Sequence, residues 1–437
     1  MQFSRFNTSV KTDDGNIILF NSLTGAIGLV NEVEYLSIQS TLENKAINIQ
    51  EQNENETIKS LINGSILIDE TKDELLKAIY LSNYLLYRSD QLDLRILPTE
   101  DCNCRCVYCY ESFERGEMTS ETLEKVKLLL ENQAPRLKSL NIGWFGGEPL
   151  IALKTIQAIS QKVIELKNIY HFKYTNQLTT NGYFLTEKVV QTLFKYEINN
   201  IQVTLDGYEE KHDERKKLKS GKGTFKRIID NLKRMATLED EYQLTARINF
   251  DFDNYASIKI LLIELKKIFK NDKRFSVFFR PTGNWGGDNE IKKISLVSNE
   301  EKVKLQKELM ELFYESTPEK FNFPQLNLQI CYASLPHCYT IGSDASLYKC
   351  TVYFENELNK VGYLDNEGNL KLDINKISQW VACGDNDQEC SSCYLYPACR
   401  GKNCAASRIV GHKKICPDMK YMIKENLIDY YQSLRNQ

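Results

Sequence analysis

Cys102-Asn-Cys-Arg-Cys106-Val-Tyr-Cys109 carries three cysteines in a Cys-x3-Cys-x2-Cys pattern. Three thiolates on one loop can wrap three irons of a cubane cluster and leave a fourth iron open to a small molecule. Zinc would want a fourth protein ligand, and the nearest downstream histidine, His171, is far away in sequence. The chain has 13 cysteines in two groups. None precedes Cys102, four lie between Cys102 and Cys109, and the other nine lie between Cys331 and Cys416. A disulfide scaffold is short and spreads its cysteines; clusters in a long chain read as metal ligands in a reducing compartment.

Elements that could position this chemistry surround it. Strand patterns fall at Leu92–Pro98, Ser139–Phe145, Asn176–Thr180, Asn200–Leu205, Thr245–Phe250 and Phe275–Arg280. Helical periodicity falls between them, at Glu121–Glu131, Ile151–Leu166, Glu187–Phe194, Phe225–Met235 and Ser257–Phe269. Six alternations predict an α/β fold with a parallel sheet, either doubly wound or a partial barrel. Chemistry in such a fold sits at the carboxyl ends of the strands, and Cys102–Cys109 directly follows the first. The second strand ends in Phe145-Gly146-Gly147-Glu148-Pro149. The third ends in Thr179-Thr180-Asn181-Gly182 and the fourth in Leu205-Asp206-Gly207.

Together these motifs resemble the radical S-adenosylmethionine (SAM) superfamily over about residues 92–280. Its signature is the cysteine triplet with an aromatic, here Tyr108, before the last cysteine. The resemblance implies a partial (β/α)6 TIM-like barrel, with a [4Fe–4S] cluster on Cys102, Cys106 and Cys109 whose open iron chelates SAM. One electron then cleaves SAM to methionine and a 5′-deoxyadenosyl radical. It also implies cofactor contacts from Tyr108, Gly146, Gly147, Glu148, Pro149, Thr180, Asn181 and Asp206, with Arg247 on the fifth strand joining them. The glycines would let the backbone approach the SAM amino group.

The C-terminal cysteines resemble the SPASM extension, which implies two auxiliary [4Fe–4S] clusters and three clusters in all. The first would take Cys331, Cys338, Cys350 and Cys404; the second, Cys390, Cys393, Cys399 and Cys416. The last gap of the Cys390–Cys404 quartet is four residues where the usual pattern has three. Ala345 stands where the family has a glycine, five residues before Cys350. Cys104 and Cys383 are left over and read as small packed thiols. His212, Asp213 and Arg215 read as loop charges or ion pairs, and the run Lys211–Lys222 as a solvated surface. Arg280 to Gly287 reads as a cavity wall lined by Trp285. No HExxH or G-x-S-x-G is present.

Three domains are expected: residues 1–90, 91–317 and 318–437. In the first, Asn16–Asn21 and Ala26–Val30 read as a hairpin, with Asn31 capping a helix and Glu34 answering it. Glu43–Glu56 reads as a polar loop, and helical patterns follow near Thr57–Asn63 and Lys72–Leu86. Strands with small helices suggest a winged helix-turn-helix, but no basic face marks it for DNA. A peptide adding a strand to its edge fits better. The last domain loses the alternation and is expected to depend on clusters rather than apolar burial, with a closing helix at Met419–Leu434.

Hydrophobic residues are 42 % and charged residues 26 %, the balance of a globular chain. With 56 Lys+Arg against 59 Asp+Glu the net charge is −3, which offers no basic field for nucleic acid and no membrane handle. No apolar run reaches the ~18 residues of a bilayer span. The N-terminus lacks a signal peptide's apolar core, so a cytoplasmic protein is expected. The resemblance implies an enzyme that cross-links a ribosomally made precursor peptide, through a carbon–carbon or thioether bond. The precursor's leader would be held by residues 1–90, and a flavodoxin or ferredoxin would donate electrons. Rival readings are an anaerobic sulfatase maturase, a peptide epimerase, and a non-enzymatic iron–sulfur or zinc protein that binds peptides or relays electrons. Against the first, sulfatase maturases carry an aspartate where this chain has Thr351.

Overall fold

The computed structural model of the chain describes residues 1–43, 55–283, 299–314 and 321–435. Most of the expected Glu43–Glu56 loop, and the Arg280–Gly287 wall from residue 284 onward with Trp285, lie outside them. The chain forms two compact units that do not follow chain order. One comprises Met1–Arg88, Ser316–Pro336 and Ser378–Gln437; the other comprises Ser89–Glu315 and His337–Ile377.

In the first unit Gln2–Phe3 pairs antiparallel with Leu67–Ile68, and three antiparallel strands, β1 (Asn7–Lys11), β2 (Asn16–Asn21) and β3 (Ile27–Asn31), form a second sheet in that order. Asn31 then caps the helix Glu32–Glu43. Its Oδ1 accepts from Glu34 N at 2.8 Å, and its Nδ2 donates to the Glu34 carboxylate at 3.2 Å. Helices Glu56–Asn63 and Glu74–Leu86 follow, capped by Asn55 and Asp73. β2 is buried on both faces. Ile17 and Leu19 pack with Val30, Ile38 and Leu61, while Ile18 and Phe20 pack against Ile423 and Leu427 of the C-terminal helix Met419–Arg435. Phe6, Leu23 and Ala78 pack with Tyr396, from the midst of the C-terminal cysteines.

In the second unit β4 (Gln91–Ile96), β5 (Ser139–Trp144), β6 (Lys173–Thr180), β7 (Asn200–Leu205), β8 (Gln243–Phe250) and β9 (Phe275–Pro281) are parallel neighbours in chain order. A doubly wound sheet would reverse that order partway, so the partial barrel is the form adopted. Burial alternates along each strand, as at Leu92, Leu94 and Ile96 or Ile201, Val203 and Leu205. The helices between strands bury one stripe each; Ile156, Ile159 and Val163 are fully enclosed, about 1.5–3 kcal/mol apiece.

The free side of β4 pairs in parallel with β10 (Cys338–Ile341), from Cys338 opposite Asp93 to Ile341 opposite Ile96. Three antiparallel strands continue the sheet: β11 (Ser346–Tyr348), β12 (Lys360–Leu364) and β13 (Leu370–Leu372). All four residues of β10 are buried. The cysteine-rich segment therefore does bury apolar surface here, contrary to its compositional reading, because it docks on an existing sheet. Among the described residues no helix is long and apolar enough to cross a membrane.

Candidate active site

β4 leads through the buried Thr99 and Glu100 into the cysteine loop. The Glu100 carboxylate anchors that junction. It accepts from Arg115 Nε at 2.6 Å and from the Ser343 amide and hydroxyl at 3.2 and 3.0 Å. Within the loop Cys104–Cys106 forms a short antiparallel ladder with Lys216–Leu218, setting Cys106 opposite Lys216 and Cys104 opposite Leu218. Gly146 and Gly147, after β5, press against the same junction. A Cβ on Gly146, whose φ is +122°, would lie 2.2 Å from the Thr99 carbonyl oxygen; one on Gly147 would lie 2.3 Å from that of Asp101. Only glycine admits this approach. The two glycines thus fit the turn to the backbone that leads into Cys102.

Glu148 is fully buried and ties three strand ends together. Its amide donates to Asp101 O at 2.9 Å. Its carboxylate accepts from the Thr180 hydroxyl and the Asn181 amide, each at 2.7 Å, and from Leu150 N at 3.1 Å. Burial raises its pKa, against the pull of those donors. Pro149 opens the short 3-10 turn that follows. Asn181 then reaches back to the loop, donating to Asn103 Oδ1 at 2.8 Å and lying 3.5 Å from Cys104 Sγ and 3.9 Å from Cys102 Sγ.

A second knot joins the loop to β7 and β8. Tyr108 donates to both oxygens of the buried Asp206 carboxylate, at 2.7 and 2.9 Å, and Asn249 donates to Asp206 Oδ1 at 3.1 Å. Burial alone would raise the Asp206 pKa, but Lys216 and its other neighbours hold it below its ordinary value. Arg247 joins this knot through Asn249, donating from Nε to Asn249 Oδ1 at 3.1 Å; burial and Arg280 lower its pKa. Arg215 forks onto the buried Asp251 at 2.7 and 3.3 Å, so the ion-pair reading holds for it. His212 is buried, and its pKa falls to about 3, through burial first and then Lys216. Thr224 donates its hydroxyl proton to Lys216 O, so it accepts from His212 Nε2–H, while Nδ1 accepts from Asp206 N. Both ring nitrogens of the neutral tautomer are thereby occupied.

The residues at this site fit a cluster with a polar ligand beside it. All thirteen cysteines are free thiols. Burial pushes Cys109 up to about 12 and raises Cys106 too, so their thiolates need a positive partner, as a metal provides. Asn103 Nδ2, Glu111 Oε1 and Arg215 Nε are buried polar atoms without a hydrogen-bond partner, which marks the surroundings for a polar occupant. Burial, with Glu100 nearby, lifts Glu111 to about 8. Among the described residues no group of three His, Cys, Asp or Glu side chains converges on one ion. In the other unit Cys390, Cys393, Cys399 and Cys416 line a single cavity with Glu389, Leu395, Lys414, Pro417 and Lys420. Cys331 and Cys404 belong to that unit as well, whereas Cys338 and Cys350 belong to the barrel unit.

Two features escape a reading by sequence. Lys216 is 2 % exposed, so the run Lys211–Lys222 is not a uniformly solvated surface. In the ladder Lys216 and Leu218 turn inward while Lys217 and Lys219 turn out; a run of like residues hides that period of two. Asn249 gave no signal beyond its place at the end of β8.

The chain is 24 % identical over 335 residues to the cysteine-type anaerobic sulfatase-maturating enzyme of Clostridium novyi (strain NT), covering 71 % of this chain and 87 % of that protein. The structure described as native anSMEcpe with bound AdoMet and Cp18Cys peptide superposes with a TM-score of 0.55 at 17 % identity, over 78 % of this chain and 99 % of that one. Streptococcus suis SuiB bound to S-adenosylmethionine gives a TM-score of 0.50 at 17 % identity, over 92 % and 95 %. At these identities the structural likeness is one of fold. Residues 96–239, which carry the cysteine loop and the ends of β4 to β7, match the Radical SAM superfamily and form a radical SAM domain.

Proposed function

We propose that the chain is a peptide-modifying radical SAM enzyme that closes a carbon–carbon or thioether cross-link in a ribosomally made precursor. Its site residues are those named above. Cys102, Cys106 and Cys109 hold the SAM-binding cluster, and the eight C-terminal cysteines hold two auxiliary clusters. When bound, the cluster and SAM supply a 5′-deoxyadenosyl radical on one-electron reduction. Glu148 fixes the turn after β5 to the end of β6 and to the loop. Tyr108 and Asn249 orient Asp206, while Arg215 and Asn103 offer unspent donors to a polar ligand. A cross-link is a net oxidation, so one electron must leave the product, and auxiliary clusters give it a path outward.

The observation that carries the peptide reading is β3. It is one of the two edge strands of its sheet among the described residues, and its sequence Ile-Gly-Leu-Val-Asn holds neither Lys nor Pro to blunt the edge, whereas the other edge, β1, ends in Lys11. Leu29 is 50 % exposed, and Val33 and Leu36 on the next helix are 79 % and 55 % exposed. An extended leader would add its backbone to this edge and its apolar side chains to this patch. We read residues 1–90 as that recognition element, 91–317 as the radical SAM barrel and 318–437 as the SPASM segment. The protein is read as cytoplasmic, with a flavodoxin- or ferredoxin-type donor. Mass spectrometry of a co-produced precursor tests the reaction. A loss of two hydrogens without a hydrazine-reactive aldehyde supports a cross-link, the same loss with such an aldehyde marks serine oxidation, and an unchanged mass points to epimerisation. The similarity to sulfatase-maturating enzymes favours a second reading, conversion of a Cys or Ser to formylglycine. Thr351, where those enzymes carry an aspartate, speaks against it.

A further inference from the structure

The four sulfurs around the cavity of Cys390, Cys393, Cys399 and Cys416 each receive a hydrogen bond, and the donors are of two kinds. Cys393 and Cys399 are served by the backbone amide two residues on, Leu395 N and Gly401 N, each at 3.4 Å. Cys390 and Cys416 are served by cationic side chains. Arg408 Nη2 lies 3.1 Å from Cys390 Sγ, and Lys420 Nζ lies 3.7 Å from Cys416 Sγ. The Arg408 contact is built from three segments. Nη2 carries two hydrogens; one goes to Asp387 Oδ2 at 2.9 Å, which leaves the other for Cys390 Sγ. Asp387 Oδ1 accepts from the Cys390 amide at 3.0 Å, so one carboxylate fixes both the cysteine's backbone and the guanidinium beside its sulfur. Gly401, at φ +69°, closes on the contact: a Cβ there would lie 3.0 Å from Cys390 Sγ and 3.1 Å from Arg408 Nη2. Asp387 already balances the charge of Arg408, so what the arginine brings to the sulfur is a directed N–H. Aimed at a thiolate, such a donor makes a charge-assisted bond.

Hydrogen bonds to the sulfurs help set an iron–sulfur potential, because reduction adds one negative charge that the sulfurs share and a donor gains strength with that charge. We propose that Arg408, positioned by Asp387, and Lys420 are side-chain donors to the sulfurs of the cluster in this cavity, and that they raise its reduction potential. The proposal rests on the three-cluster reading above. A backbone amide donates whatever its side chain is, so Leu395 and Gly401 give the cluster a fixed setting. Arg408 and Lys420 give it one that a single substitution changes. Lys420 stands four residues beyond Cys416 and is a local donor, whereas Arg408, 18 residues beyond Cys390, is brought to its sulfur by the fold. With both in place the cluster is easier to reduce at a given poise.

The test is an anaerobic redox titration of the reconstituted full chain, followed by electron paramagnetic resonance, with iron counted per chain. The signal of the cavity cluster is the one that ignores SAM and changes in Cys393→Ala. Arg408→Met and Arg408→Lys are compared with wild type at equal iron content. In the methionine variant that signal is expected at a lower midpoint. At fixed poise its ratio of reduced to oxidised cluster drops about tenfold, or about 59 mV for one electron. Arg408→Lys, which keeps a donor, retains most of the midpoint. Lys420→Met lowers the same midpoint by less, in keeping with its longer contact, and no variant moves the SAM-responsive signal. Equal midpoints in Arg408→Met and wild type overturn the proposal, as does a lysine variant shifted as far as the methionine one. Iron lost from Arg408→Met with the remaining signal unmoved assigns Arg408 a structural role alone and overturns it too. If Arg408→Met does not fold, Lys420→Met decides, and an unmoved midpoint there overturns the proposal. About four irons per chain in wild type, with no SAM-indifferent signal, would sink the three-cluster reading before any variant is compared, so the two failures are told apart.

Discussion

Glycine and alanine at two positions show how single residues shape the cysteine segments. Gly147→Ala would push a methyl group into the Asp101 and Glu100 carbonyls, both backbone atoms that cannot swing aside. The variant is expected to lose the cluster on the adjoining loop, about a third of the chain's iron if three cubanes are bound. Iron analysis after reconstitution checks this. Ala345 sits at φ +68°, the left-handed region where a Cβ is strained, at the position where the SPASM pattern has glycine. Ala345→Gly is expected to raise stability by about 1 kcal/mol, read from urea unfolding. His212 gives a pH dependence with a definite sign. Its folded pKa lies below the unfolded value near 6.5, so only the unfolded chain takes up the proton as pH falls below about 6.5. Stability is lost over that window, at up to about 1.4 kcal/mol per pH unit, and His212→Gln should flatten the slope between pH 7 and 5.5. That Glu148, Thr180, Asn181 and Asp206 lie at or just after strand ends was legible from their order along the chain. Lys216 was not, because what singles it out is its partner across a ladder joining two distant segments.

At the scale of elements, periodicity located all six barrel strands and five of the helices between them; the short helix Glu209–Arg215, which holds His212, Asp213 and Arg215, was read as loop. Long amphipathic segments carry their burial in their pattern. The strands β10 to β13 were not legible. Cys338–Ile341 is buried on both sides and has no alternation to read, and its existence depends on the edge of β4, some 240 residues earlier in the chain. What holds the Cys350 turn is equally non-periodic. Buried Asn359 accepts from the Lys349 and Cys350 amides at 3.2 and 2.9 Å and donates to the Cys350 and Val352 carbonyls at 3.0 and 2.9 Å. Asn359→Ala leaves those groups unpaired and is expected to cost about 2 kcal/mol or more, with loss of auxiliary iron. The β3 edge makes the opposite prediction. Leu29 is half exposed, so Leu29→Lys should change stability by less than about 0.5 kcal/mol. It should nevertheless weaken retention of a co-produced precursor, measured by pull-down of the tagged enzyme.

For the whole molecule the informative fact is how the chain is shared between its units. Residues 1–88 fold with 378–437, so the β3 edge and the cavity lined by Cys390, Cys393, Cys399 and Cys416 belong to one compact body. The barrel and the sheet strands bearing Cys338 form the other. A linear reading expects each stretch of sequence to close its own core. Here the cores are closed by Ile18 and Phe20 against Ile423 and Leu427, pairs separated by most of the chain, which periodicity does not report. The claim on which the rest depends is that three cysteine groups hold three clusters, one of which cleaves SAM. The most direct measurement is iron and sulfide content of the anaerobically reconstituted chain, taken with 5′-deoxyadenosine release from SAM under reductant. About twelve irons per chain, as three four-iron cubanes, together with deoxyadenosine is the predicted result. Zinc in place of iron, or intact SAM under reductant, would contradict it.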